Sequence, residues 1–205
     1  MSKYTIVVNE GATNQVVSGN YRYQNSNTSK EIMASNDNRY DPVITKYNLG
    51  TYEFIGKELE DQMCLYQTRE DRSMDFGRMC VNSLNFIVAE EIIGEFDANG
   101  VLGLAPSEDP KQSYVDTLYR DGMISQRVVG LNYENPLDTD QKSKISIGSI
   151  DYSEIEGGQK GINYYKNKAD GFWGLKMDDF LYDNVDMTGS HEAKIGLIDS
   201  GNTSI

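Results

Sequence analysis

Residues 197–204 read Leu197-Ile198-Asp199-Ser200-Gly201-Asn202-Thr203-Ser204, an apolar strand that runs into an aspartate, a hydroxyl residue and a glycine. This stretch predicts a tight turn in which glycine permits a close backbone approach and the aspartate is held at the turn. Near the start of the chain, Val7-Val8-Asn9-Glu10-Gly11-Ala12-Thr13 has the same pattern of two apolar residues, Asn or Asp, any residue, Gly, any residue and Thr. Such a match can arise by chance, but it would have a meaning in a chain built from two related lobes.

Short apolar segments alternate with clusters of Gly, Asn, Asp and Pro, a pattern typical of a β-dominated protein. One segment differs, because residues 112–120 place apolar side chains at i, i+3 and i+4 before Gly122, which predicts a short amphipathic helix. The polar stretch 24–39 predicts an exposed loop. We expect strands at residues 4–8, 15–17, 52–55, 62–66, 84–89, 101–104, 128–132, 144–150, 161–165, 172–177 and 194–198.

The composition excludes several classes of partner. The chain has 205 residues and a net charge of −13, which argues against nucleic acid because phosphates are held by clusters of Lys and Arg. The longest apolar stretch, 84–93, is far short of the ~20 residues of a membrane span, so we expect no membrane insertion. The single histidine, His191, excludes a multi-His metal site, and we expect no metal or other cofactor. A group of four acidic residues lacks the Gly and Glu placement of a calcium loop: Asp178, Asp179, Asp183 and Asp186.

Several segments lie between these two similar stretches, 7–13 and 197–203, and they follow a recognisable order. Asn99-Gly100-Val101-Leu102-Gly103-Leu104 precedes the predicted helix, and then come Gly122-Met123-Ile124-Ser125 and Ile147-Gly148-Ser149-Ile150-Asp151. This order resembles the pepsin-like aspartic proteases, in which an Asp-Thr-Gly or Asp-Ser-Gly motif occurs once per lobe. In that family the first motif is followed by a strand like Asp-Gly-Ile-Leu-Gly-Leu, a helix, a Gly-Leu-Ile-Ser turn and a Gly-Gly-Ile-Asp turn. Phe172-Trp173 is similar to the aromatic pair that opens the second-lobe strands, so the resemblance covers residues 96–204.

The resemblance implies an all-β, pepsin-like fold. Residues 1–150 would form the N-terminal lobe, 151–168 the interlobe linker and 169–205 the start of a C-terminal lobe. The Gly-punctuated strand that supports the second motif would lie beyond Ile205, so we expect part of a two-lobed protein or a shortened member. A secretory, vacuolar or extracellular location would be typical of the family. The apolar stretch 4–8 is too short for a signal peptide, and we assign no compartment.

The resemblance also assigns the candidate catalytic residues. The family uses two carboxylates that face each other, share one proton and hold a water molecule. Asp199, with Ser200 and Gly201, matches the second motif, whereas the first motif is degenerate: Asn9 stands at the aspartate position, Glu10 at the hydroxyl position and Gly11 at the glycine. Asparagine cannot ionise, so Asn9 cannot serve as the general base. In the alternative interpretation, residues 9–11 form an ordinary turn between unrelated strands.

Two functions stay open at this point. In the first, the chain is a catalytically inactive pepsin-like homologue that acts as a binding or structural module. Its partner would be a peptide or protein in an interlobe cleft, or neighbouring subunits of an assembly. In the second, the chain belongs to an active aspartic endopeptidase that works at acid pH, with the first catalytic aspartate outside this chain and Asp199 as the second.

A flap over the cleft is a further feature that the family implies. The run Tyr47-Asn48-Leu49-Gly50-Thr51 is similar to the Tyr-Gly-Thr-Gly-Ser run of the family's flap hairpin, which shuts out water. Tyr40-Asp41-Pro42 is similar to a Phe-Asp-Pro turn that the family places a full strand earlier. Only four residues separate Pro42 from Tyr47, so either a strand is lost or one of the two matches is chance.

Two features depend on the compartment. Cys64 and Cys80 form either one disulfide or two independent thiols, and two cysteines alone do not decide between them. Asn27-Thr28-Ser29 is a glycosylation sequon, as is the stretch that begins at Asn202. A sequon is usable only if the chain enters the secretory pathway.

Overall fold

The computed structural model describes residues 4–15, 21–36, 39–66, 78–133, 143–187 and 194–201. Within these ranges strands dominate and helices are few, which confirms the all-β class. His191, the sequon at Asn202 and residues 16–17 of a predicted strand lie outside the described residues. The strands are β1 Ile6–Gln15, β2 Lys30–Glu31, β3 Met33–Asn36, β4 Arg39–Pro42, β5 Ile44–Leu49, β6 Tyr52–Tyr66, β7 Arg78–Phe96, β8 Gly100–Val101, β9 Val129–Asn132, β10 Lys144–Ile147, β11 Gly174–Met177, β12 Leu181–Tyr182, β13 Val185–Asp186 and β14 Lys194–Leu197.

A six-stranded sheet forms the largest part of the fold. Its strand order is β2-β6-β7-β1-β8, and β5 also pairs with β6. The long central strand β7 runs antiparallel to β6 and parallel to β1. Phe86 and Val88 belong to one buried cluster, and Ile87 and Ala89 belong to a second one. The middle of β7, residues 86–89, is therefore buried on both faces, which explains why four consecutive apolar residues stand there.

One α-helix, α1 (Tyr114–Arg120), packs against this sheet. The Ser113 side chain caps its N-terminus by accepting a hydrogen bond of 3.1 Å from the Asp116 amide, so the helix begins later than the predicted residue 112. Tyr114 and Leu118 are fully buried in the cluster that contains Phe86. Gly122, at φ +71°, follows the end of the helix as predicted.

The two cysteines lie opposite each other on β6 and β7. Cys64 and Cys80 are direct partners in the antiparallel ladder, and their Sγ atoms lie 2.08 Å apart. The bridge is therefore formed. It joins the two longest strands near the point where their ladder ends at Tyr66 and Arg78.

Two of the predicted elements are wrong, and the predicted strand 101–104 is a strand only at Val101, the last residue of β8. The stretch 24–39 contains a 3-10 helix at Tyr23–Asn25 and the strands β2 and β3, because β2 finds a partner in β6 and β3 finds one in β4. The partner of β2 is far along the chain, and pairing with it overrides a polar local sequence, whereas β3 pairs with the next strand. Residues 161–165 form no strand, since a 3-10 helix covers Gly158–Gly161 and the following tyrosines, Tyr164 and Tyr165, are each 73% exposed.

The remaining strands form two-stranded sheets, namely β9 with β10, β11 with β14, and β12 with β13. The turn between β12 and β13 has Asp183 and Asn184 at φ 49° and 61°, the left-handed pair that a two-residue hairpin favours. Among the described residues, no helix is long and apolar enough to cross a membrane, and no group of three His, Cys, Asp or Glu side chains is placed to hold a metal ion.

Candidate functional site

The degenerate first motif lies in a bulge of β1. Strand β1 pairs with β7 through Val8 opposite Ala89, and the pairing resumes at Thr13 opposite Glu91. Thr13 lies five residues after Val8, whereas its partner Glu91 lies only two residues after Ala89. Between these two pairs, β1 therefore contains three more residues than β7. Bulges of this kind re-aim side chains and are frequent next to functional sites. Residues 9–11 therefore lie within β1, at this irregularity of the strand, and not in an ordinary turn between two strands.

The Gly-punctuated segment runs along the other side of β1. Val8 N donates a hydrogen bond of 3.0 Å to Asn99 O, and Val7 lies opposite Gly100. A Cβ atom at Gly100 would stand 2.3 Å from the carbonyl oxygen of Ile6, and one at Gly103 would stand 2.6 Å from the carbonyl carbon of Tyr4. Only glycine permits so close an approach of two backbones. The glycines of this segment therefore bring it against the strand that carries the first motif.

The side chains of the first motif do not provide an available general base. Asn9 is half-buried, and its backbone forms a bridge to Tyr21. Glu10 is exposed, and both of its carboxylate oxygens contact the Arg22 guanidinium group. A two-pronged pair of this kind fixes the direction in which the carboxylate points, although an exposed ion pair adds little stability. The carboxylate next to Asn9 is thus held by Arg22.

A buried carboxylate lies close to this motif and has no assigned role in the sequence analysis. Asp61, on β6, is only 3% exposed. It accepts hydrogen bonds from the Tyr21 and Thr28 hydroxyl groups and from the Gln62 amide, the last at 2.7 Å. Since Tyr21 also bridges to Asn9, Asp61 connects β6 to the segment that flanks the first motif. The only signal in the sequence was a hydroxyl-rich stretch, 26–29, which has no periodicity that would reveal a distant partner.

The Asp61 network shifts the pKa values of its members. Burial opposes ionisation of Asp61, but hydrogen bonds from Thr28, Tyr21 and Ser26 outweigh it and hold the pKa of the Asp61 carboxyl below its usual value. Burial and the hydrogen bond to Asp61 raise the pKa of Tyr21 to about 12. Asp61 is therefore a structural carboxylate that stays ionised, and it is not poised to exchange protons.

Replacement of Asp61 by asparagine is expected to lower the free energy of unfolding by about 2 kcal/mol near neutral pH, because hydrogen bonds to a charged acceptor are lost. A carboxyl whose pKa is lower in the folded state stabilises above its unfolded pKa of about 3.9, and this stabilisation is lost as pH falls through the folded value. The difference between wild type and Asp61→Asn should therefore shrink at acid pH. Urea unfolding of wild type and Asp61→Asn at neutral and at acid pH measures this difference in stability.

Exposed Asp179 provides the control for this comparison. Asp179→Asn should leave stability nearly unchanged at both pH values. An Asp61→Asn effect that is equally large at neutral and acid pH would contradict the role of the ionised carboxylate.

The flap candidate lies in a regular β-hairpin. Strands β5 and β6 pair from Ile44 opposite Lys57 to Leu49 opposite Tyr52, so Gly50 and Thr51 form the two-residue turn. Tyr47 packs edge-on against Tyr4, with ring centroids 5.0 Å apart. The hairpin is present where it was predicted, and its role as a flap stays a prediction. Tyr40-Asp41-Pro42 lies in β4, directly before this hairpin.

The second motif follows β14 at the other end of the described chain. Asp199 is exposed, and its Oδ1 accepts a hydrogen bond of 3.0 Å from the Gly201 amide. Ile198 N donates to Trp173 O, and the Trp173 indole Nε1 donates to Leu104 O at 2.9 Å. These contacts connect the second motif with Leu104, which follows Gly103, and Gly103 lies against Tyr4 and Thr5 just before β1. They do not lead to Asn9, so the facing of the two motifs stays a prediction.

Comparison with the models of known protein families gives no match, and no curated protein is significantly similar to this chain. The resemblance to the pepsin-like proteases therefore stays a prediction from the motifs and their order in the sequence.

Proposed function

We propose that this chain is a pepsin-like aspartic protease homologue that does not cleave peptide bonds and acts as a binding or structural module. The observation that carries the proposal is the place of Asn9. It stands at the aspartate position of the motif, on the bulge of β1, with the Gly-punctuated strand β8 paired alongside.

Several neighbouring features support the family assignment. The helix α1 and the turn with Gly122 follow the Gly-punctuated segment in the order that the resemblance requires. The β5–β6 hairpin has its turn at Gly50 and Thr51, as a flap would. Trp173, of the aromatic pair, contacts Leu104 at the end of the Gly-punctuated segment.

The chemistry of the first motif argues against proteolysis. The family's reaction needs one ionised carboxylate as base and one protonated carboxyl that polarises the scissile carbonyl group. Asn9 can donate or accept a hydrogen bond but cannot take the proton of a water molecule. The nearby carboxylates do not replace it, because Glu10 contacts Arg22 and Asp61 is buried among hydroxyl donors.

One observation favours the second candidate function, an active endopeptidase whose first aspartate lies outside this chain. The second motif is intact, and Asp199 is held in the tight turn that the Asp-Ser-Gly sequence predicts. In this alternative a carboxylate from elsewhere would complete the pair with Asp199.

A cleavage assay distinguishes the two functions. The full-length protein is incubated with acid-denatured haemoglobin, with and without pepstatin. We expect no pepstatin-sensitive release of peptides, because Asn9 supplies no base. Pepstatin-sensitive cleavage would contradict the proposal, and its loss in the Asp199→Asn variant would establish the alternative.

A role within an assembly has its own test. Purification of the protein from its source only as a free monomer would count against that role.

A further inference from the structure

We propose that Asn27 carries an N-linked oligosaccharide. This inference is independent of the proposed function, since it rests on the sequon, on the exposure of Asn27 and on the disulfide. Asn27 is the acceptor of Asn27-Thr28-Ser29 and is exposed on the surface.

The local geometry leaves room for a large polar group. Asn27 lies in a bend between the 3-10 helix Tyr23–Asn25 and strand β2. The Ser26 hydroxyl group accepts hydrogen bonds of 3.2 Å from the amides of Thr28 and Ser29, which hold the bend beneath the exposed asparagine. An oligosaccharide at such a position extends into solvent and displaces no packed side chain.

The disulfide indicates a compartment in which this modification occurs. The bridge between Cys64 and Cys80 is formed, and structural disulfides persist in oxidising environments such as the lumen of the secretory pathway. Oligosaccharide transfer to sequons takes place in that same pathway. The bridge and the sequon are separate features of the chain, and both point to this route.

The contacts of Thr28 indicate whether oligosaccharide transfer comes before or after folding. In the folded protein the Thr28 hydroxyl, which a sequon requires, donates a hydrogen bond to Asp61. Asp61 is buried, so the sequon is docked on β6 once the sheet has formed. Transfer to Asn27 therefore precedes folding of this segment.

The transfer is a displacement without a redox step. The co-reactant is an oligosaccharide linked through its anomeric carbon to a lipid pyrophosphate. Asn27 Nδ2 forms a bond to the anomeric carbon, and the bond from that carbon to the pyrophosphate oxygen breaks. The oxygen leaves with the electron pair, and Nδ2 loses one proton to a base of the transferase.

A control residue stands two positions away. Asn25 is also exposed, but Asn25-Ser26-Asn27 has asparagine in place of the required hydroxyl residue and is not a sequon. Trypsin cleavage after Arg22 and Lys30 releases both asparagines in one peptide, 23–30. A single spectrum therefore compares the acceptor with its control.

The test uses the full-length protein purified from its source. Its tryptic peptides are treated with an amidase that removes N-linked glycans in water labelled with heavy oxygen, and peptide 23–30 is sequenced by mass spectrometry. We expect Asn27 converted to labelled aspartate, with Asn25 unchanged. An unmodified Asn27 before treatment, or conversion of both asparagines to the same extent, would overturn the proposal.

Variants provide a second measurement. Deglycosylation of the intact protein should shift its gel mobility. Asn27→Gln should abolish the part of this shift that is due to the glycan on Asn27, while Asn25→Gln should retain it. Thr28→Ser keeps both the sequon and a hydroxyl donor for Asp61, so it should also retain the shift. A shift that persists unchanged in Asn27→Gln would contradict the assignment, and the peptide from wild type decides the question even where a variant fails to fold.

Discussion

Replacement of Gly103 by alanine is expected to lower the free energy of unfolding by at least about 3 kcal/mol, at or beyond the upper end of ordinary overpacking. The new Cβ would stand 2.6 Å from Tyr4 C, 2.8 Å from Tyr4 O and 2.9 Å from Thr5 N. All three are backbone atoms, which cannot rotate away as a side chain can. Relief of the clash would move Tyr4 and Thr5, which lead into β1, away from the Gly-punctuated segment and break the 3.2 Å hydrogen bond from Gly103 N to Thr5 Oγ1.

Urea unfolding of wild type and Gly103→Ala measures this loss. Gly122→Ala is the control, because no atom lies within 4 Å of its added Cβ. Its positive φ of +71° alone should cost about 1 kcal/mol. Equal losses for the two variants would show that close approach to β1 is not what requires glycine at position 103.

Truncation of Ile92 to alanine is expected to lower the free energy of unfolding by about 2–5 kcal/mol, since buried methyl groups are lost and a cavity remains. Ile92 lies on β7, is fully buried and stands opposite Phe54 of β6. It belongs to the cluster that also contains Phe96 and Val8. The loss therefore falls on the packing that holds the β5–β6 hairpin against the central strands.

The next residue along the strand is a matched control for this truncation. Ile93 has the same side chain on the same strand but points to the opposite face and is 46% exposed. Ile93→Ala should change the free energy of unfolding by less than about 1 kcal/mol. Thermal or urea unfolding compares the two variants directly. A larger loss for Ile93→Ala than for Ile92→Ala would mean that the register of β7 is wrong.

The parts of the fold that could be predicted from the sequence carry a strong local pattern. The apolar run 84–89 marks a strand buried on both faces, and it became the centre of β7. The spacing of apolar residues before Gly122 predicts α1. Because Ser113 caps the N-terminus, the helix begins at Tyr114 and not at the predicted residue 112. In both cases the residues that decide the element lie within it.

Other features depend on partners far away in the sequence. The short strand β2 exists because β6, far along the chain, offers it a backbone partner, and no local pattern in 24–39 predicts that. Conversely, 161–165 is expected to be a strand, but within the part of the chain that the structure describes no strand pairs with it, and its tyrosines are exposed.

The candidate site shows the same division. The tight turn that holds Asp199 could be predicted from the Asp-Ser-Gly sequence, because its residues lie on one stretch of chain. The contacts of Glu10 with Arg22 and of Asp61 with Tyr21 could not, since they join residues that are 12 and 40 positions apart. Those contacts decide which carboxylates near the first motif are available for chemistry.

The pKa of the Asp199 carboxyl decides whether the protein holds a catalytic pair. Two carboxylates that share a proton cannot both ionise, so one pKa of such a pair is strongly raised. Desolvation of the Asp199 carboxyl acts in the same direction, but hydrogen bonds, one of them from the Gly201 amide, outweigh it and lower the pKa of Asp199.

A carbon NMR titration of the carboxyl groups of the full-length protein measures this pKa, with the Asp199 signal assigned by its loss in Asp199→Asn. With asparagine at position 9, we predict one transition for Asp199, below the ordinary aspartate value of about 3.9. A raised pKa for Asp199, or a titration in two steps coupled to a second carboxyl group, would contradict the proposal that the protein lacks the first catalytic carboxylate.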